Sequence, residues 1–175
     1  QSTSVDVPAD CDELSCGAEI MLPTIYEDAG SFEFKVTAHL SDGGDIKASD
    51  KITVKDKEYP QESLTVDPKY VSPPKEVTER IASERKLSSA ALKTFSEKRM
   101  WARVFTRPLP GAFSGVFGEQ RLFNGVPKNK HSGLDFRGAT GEEIKSVADG
   151  KVVLTGDFYY NGKFVFVDHG QGVKT

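Results

Sequence analysis

Only one stretch of this 175-residue sequence sets an imidazole and a carboxylate at a spacing that suits a metal: His131-Ser132-Gly133-Leu134-Asp135-Phe136. In an extended segment side chains alternate between faces, so His131, Gly133 and Asp135 share one face while Leu134 and Phe136 share the other. The apolar pair is expected to anchor the segment in a core. The polar pair then looks into a groove, and Gly133 leaves room above the backbone. Zinc accepts both ligand types, and a catalytic zinc usually has three protein ligands and a water. His131 and Asp135 are therefore candidate metal ligands, with a third to come from elsewhere. On spacing alone a plain hydrogen-bonded pair is the better reading; the surroundings reverse that preference.

Those surroundings are Arg107-Pro108-Leu109-Pro110-Gly111, Ser114-Gly115-Val116-Phe117-Gly118, the His131 to Phe136 stretch, Gly141, Ala148-Asp149-Gly150-Lys151-Val152-Val153 and Val167-Asp168-His169-Gly170. In this order and spacing, residues 107–175 resemble the lysostaphin/LytM-type zinc metalloendopeptidases, which cut peptide bonds in bacterial cell-wall peptidoglycan. The resemblance implies Zn2+ as cofactor, with His131 and Asp135 as the first two ligands. It also implies that Arg121 and Asn124 edge the substrate groove. The family's third ligand and catalytic histidines would follow the Asp-His-Gly turn, beyond Thr175. No catalytic residue is thus expected within these residues, which would form the front part of a peptidase domain.

Composition narrows the remaining possibilities. Hydrophobic residues at 37% and charged residues at 28% are globular values. No run of about 18 apolar residues occurs, so no transmembrane helix is expected. The sequence opens at Gln1 without a basic segment followed by an apolar one, so a secretion signal is expected to have been removed or left out. Residues 1–60 hold 5 Lys and Arg against 13 Asp and Glu, and residues 61–175 hold 18 against 13. An acidic front and a basic back suit contact of the N-terminal domain with the groove, or a back half that meets an anionic polymer; ordinary solvated faces explain the same numbers. Nucleic acid is not expected as a partner, because basic residues are not interleaved with aromatics in a stacking pattern. Cys11 and Cys16 read as a short-loop disulfide of an oxidising compartment, with free thiols as the alternative. Both the cysteines and the resemblance point to a periplasmic or extracellular bacterial protein.

The elements that must position the candidate ligands are mainly β. Phe32, Phe34, Val36, Ala38 and Leu40 alternate with polar residues, Ser41-Asp42-Gly43-Gly44 offers a tight turn, and Ile46 to Val54 returns as a second strand. Residues 1–58 are expected to form an Ig-like β-sandwich or part of one. Residues 59–100 read as a proline-rich and helical linker, with Ser88 and Ser89 splitting the helix in two. Residues 101–175 read as an antiparallel β-sheet domain of LytM type, incomplete at its end. It begins with a strand at 101–107 and continues with strands near 143–147, at 151–154 and at 164–167. The loop at 156–162 brings Tyr160 forward as a further groove residue. The strand at 164–167, apolar on both faces, is expected to be central. His39 reads as solvent-exposed, and His169 as a local hydrogen-bonding residue of the Asp168 to Gly172 turn.

The expected function is zinc-dependent hydrolysis of peptidoglycan peptide. The alternative is a non-catalytic LytM-like regulator or scaffold that binds a cell-wall hydrolase or peptidoglycan. A latent enzyme, its groove covered by the front domain, is a third reading.

Overall fold

The computed structural model describes residues 9–11, 16–19, 21, 24 and 28–175, with backbone alone for Asp10, Cys11, Cys16 and Tyr70. They divide into two compact units, Leu22–Pro60 on one side and Gln1–Met21 with Gln61–Thr175 on the other. The fold is mainly β. Two short strands, β1 (Asp10–Cys11) and β2 (Cys16–Gly17), pair antiparallel with Cys11 opposite Cys16. The cysteine side chains, and so the disulfide, lie outside the described residues.

The smaller unit is built on one long hairpin, β3 (Gly30–His39) and β4 (Asp45–Val54). Its register sets Phe32 opposite Ile52 and Val36 opposite Ala48, as the alternation of apolar residues requires. The turn closes through Leu40 N–H to Gly44 O at 2.8 Å, with Gly43 at φ 86°. Among the described residues this unit contains a single two-stranded ladder rather than the two packed sheets of a sandwich.

In the larger unit the stretch read as a linker supplies a strand. β5 (Gln61–Leu64) pairs parallel with β7 (Gln120–Phe123), which in turn pairs with β8 (Val126–Pro127). After the short helix α1 (Pro68–Val71), capped by the Asp67 carboxylate, comes a single helix α2 (Thr78–Leu92). It runs unbroken through Ser88 and Ser89. Two serines in a helix interior cost only a few tenths of a kcal/mol each, roughly, and an interruption would forfeit several backbone hydrogen bonds.

The last sheet places β11 (Gly162–Gly170) between β10 (Lys151–Phe158) and β12 (Val173–Lys174). β11 is central in hydrogen bonding, yet Val165 is 53% exposed, so its two faces are not equally covered. β10 reaches Phe158, into the stretch expected to be loop, where the Phe158 and Phe164 rings meet edge to face at 4.6 Å. Residues 101–107 and 143–147 are not strands. They are tied instead by single bonds, Thr106 N–H to Val147 O at 2.7 Å and Lys145 N–H to Pro108 O at 3.1 Å.

The chain leaving α2 lies against the end of β11. Met100 N–H donates to His169 O at 2.8 Å, Gln171 N–H donates to Ser96 O at 2.7 Å, and the buried Trp101 indole donates to Gly170 O at 3.2 Å. Gly170 is needed there, because its φ is 87° and a Cβ would fall 1.8 Å from Lys98 O.

Candidate metal centre

The candidate ligands stand on a small antiparallel pair, β6 (Phe113–Gly115) and β9 (Asp135–Phe136), in which Gly115 lies opposite Asp135. The Phe113 and Phe136 rings meet at 5.0 Å beneath the Arg107 guanidinium, which covers both. That packing fixes β9. Phe136 anchors the segment as expected, whereas Leu134 is 52% exposed and anchors nothing.

His131 precedes β9 and is held by its backbone. Its N–H donates to Glu119 O at 2.9 Å, and its carbonyl accepts from Gly118 N–H at 2.7 Å. Its ring is fixed as well, with Nδ1 3.1 Å from Val116 O. A carbonyl can only accept, so Nδ1 carries the proton, and in the neutral ring Nε2 is left with its lone pair. That Nε2 lies 3.2 Å from Asp135 Oδ1. With the ring neutral, two acceptors face each other. Such an arrangement requires a proton or a cation between them, and a ligating histidine whose other N–H is committed to a backbone carbonyl is the usual outer support of a metal site. The Asp135 side chain is 43% exposed and His131 17%, so the pair can be reached from solvent.

The other Asp135 oxygen is occupied. Arg121, on β7, donates from Nη2 to Oδ2 at 2.6 Å. The same guanidinium meets Glu119 at 3.3 Å and Glu62, on β5, at 3.7 Å. The bond to Asp135 raises the Arg121 pKa above an already strongly basic value, against the opposing effect of burial and with help from Glu119. Gly115 makes the cluster possible. A Cβ there would fall 2.4 Å from Arg121 Nη2 and 2.5 Å from Asp135 Oδ2. Among the described residues no group of three or more His, Cys, Asp and Glu converges as a complete metal site.

The remaining candidates go elsewhere. Asn124, at φ 52°, spends its amide on Val66, accepting from the N–H at 3.0 Å and donating to the carbonyl at 2.9 Å. It fastens the chain after β5. Tyr160 lines a different hollow, of about 280 Å³, with Ile81, Leu92, Phe158 and Phe166, and neither His131 nor Asp135 takes part in it. His169 is fully buried; Nδ1 donates to Asp149 O at 2.7 Å and Nε2 accepts from the Thr175 hydroxyl at 2.8 Å. Asp168 beside it accepts from Ser96 Oγ at 2.7 Å and Gly170 N–H at 3.0 Å. His39 pairs across its hairpin with Asp45 at 2.7 Å and is exposed. The sequence placed Arg121 at the groove but gave no sign of its bond to Asp135, and Glu62 carried no signal because β5 itself went unread.

Residues 129–175, which include both candidate ligands, match peptidase family M23. A solved structure of a candidate peptidase M23 from Pseudomonas aeruginosa superposes with a TM-score of 0.61 at 29% identity, over 96% of this chain. This chain is similar to M23 peptidases over residues 129–175. It spans 60% of the length of that M23 structure. No curated protein matches the sequence. Among the described residues no helix is long and apolar enough to cross a membrane.

Proposed function

We propose that the protein is a zinc-dependent endopeptidase that hydrolyses peptide bonds in bacterial cell-wall peptidoglycan, in the periplasm or outside the cell, with His131 and Asp135 as two of the zinc ligands. The observation that carries this reading is the pair of facing acceptors, His131 Nε2 and Asp135 Oδ1 at 3.2 Å, reachable from solvent and backed by the Val116 carbonyl. The donor set suits zinc, which takes imidazole nitrogen and carboxylate oxygen together. It does not complete a site, and a third protein ligand is not among the described residues.

When bound, zinc supplies a Lewis acid for the scissile carbonyl and a water of lowered pKa. The chain's own residues do the holding. Val116 O keeps the His131 ring from turning, Gly118 and Glu119 hold its backbone, and the Phe113–Phe136 contact keeps β9 in place. Gly115 keeps the wall of the cluster thin.

The test is digestion of purified peptidoglycan. The reading expects new amino termini to be released, release to stop on chelation and return with zinc, and His131→Ala to release none. Binding to peptidoglycan without any cleavage, in the presence of zinc, would point to the non-catalytic regulator instead.

A further inference from the structure

Resting on the zinc reading above, we infer that Arg121 is a positioning residue that makes Asp135 a one-oxygen ligand: by holding Oδ2 it leaves Oδ1 alone to meet the metal beside His131 Nε2. Three observations support this. First, the two carboxylate oxygens have different partners, Arg121 Nη2 at 2.6 Å on one and His131 Nε2 at 3.2 Å on the other. A carboxylate held by a charged donor on one side neither rotates freely nor offers both oxygens to one ion.

Second, Arg121 is itself fixed. Its Nε faces Glu119 at 3.3 Å and Glu62 at 3.7 Å, so strand β5, the neighbouring turn and β9 all converge on one guanidinium. The two glutamates also offset a positive charge that would otherwise oppose a cation at Oδ1. Third, Gly115 opens space for this contact, since a Cβ at that position would strike both Arg121 Nη2 and Asp135 Oδ2. Geometry of this kind, in which an outer residue orients a ligand, governs both affinity and coordination number in metal sites.

The experiment compares the wild type with Arg121→Gln, Arg121→Lys and His131→Ala by chelator competition for Zn2+ and by the visible spectrum of the Co2+ form. Thermal unfolding serves as the control for folding. Removing a positive charge near a cation site would by itself raise affinity, so a fall in affinity separates lost positioning from lost charge. The expected result is a zinc affinity reduced about 10- to 100-fold in Arg121→Gln. Its Co2+ bands should weaken as Asp135 turns to offer both oxygens, with partial recovery of both in Arg121→Lys. A Gln variant that binds zinc as tightly as the wild type or more so, with an unchanged Co2+ spectrum, overturns the inference and leaves the zinc reading standing. If the wild type takes up no zinc, or His131→Ala takes it up equally well, the zinc reading fails and takes this inference with it.

Discussion

The larger unit contains two neighbourhoods in which a histidine meets an aspartate, and they behave as opposites. At the end of β11, His169 and Asp168 are buried, and every polar atom the structure gives them has a partner of the right kind: a carbonyl for Nδ1, a hydroxyl for Nε2, and a hydroxyl and an amide for the carboxylate. Next to β9, His131 commits one nitrogen to a backbone carbonyl and turns the other toward a carboxylate oxygen, which in the neutral ring leaves that nitrogen's lone pair free. The residue types are the same. What separates the structural pair from the pair proposed to bind metal is whether any coordinating capacity remains after the backbone has been served, together with access to solvent.

The sharpest way to break that contrast is to exchange the losses. His169→Ala should destabilise the protein by about 2–4 kcal/mol, through a cavity and the unpaired Asp149 carbonyl and Thr175 hydroxyl, and leave zinc uptake intact. His131→Ala should do the reverse, changing stability by under about 1 kcal/mol and abolishing uptake. Urea unfolding and chelator competition on the same two preparations would show it, and parallel effects in both variants would erase the distinction.

A smaller effect is expected from Gly115→Ala. Its methyl group can be accommodated by separating Arg121 from Asp135 or, at a cost of about 1–3 kcal/mol, by a shift of the backbone. Zinc affinity should fall in this variant while the β11 pair is undisturbed. An unchanged affinity would mean the cluster can rearrange around β6.

The smallest effect concerns pH. Burial pushes the Asp168 carboxyl up, but the Ser96 hydroxyl, the Gly170 N–H and the nearby Lys174 charge outweigh it, and the net shift is downward. A carboxyl whose folded pKa is depressed contributes stability that is fully present above its unfolded value and is lost as pH falls through the folded value. Melting temperature should therefore drop through and below the ordinary carboxylate range, and Asp168→Asn should flatten that drop. Identical slopes in the two proteins would remove Asp168 from the account.

Much of this arrangement is legible in the sequence itself. The β3–β4 hairpin followed from strict alternation and a Gly-Gly turn, both local signals. His131 and Asp135 stood out because ligand types and spacing are properties of a short stretch. The parts that escaped depend on distant partners. β5 is four residues between prolines, and nothing nearby reveals that Gln61 pairs with Gln120. Arg121 read as a groove residue with no partner for the same reason, since its bond to Asp135 exists only after β7 and β9 have been brought together. Asn124 and Tyr160 were placed by their position in the chain, whereas tertiary contacts commit one to Val66 and the other to the hollow beside α2.

The central claim is that a divalent ion belongs between His131 Nε2 and Asp135 Oδ1. Crystals grown with zinc and measured at the zinc absorption edge test it most directly. The account predicts an anomalous peak at about 2.0–2.2 Å from both atoms, with Arg121 still on Oδ2. A zinc peak bound elsewhere on the protein, with His131 and Asp135 unchanged and nothing between them, would contradict it.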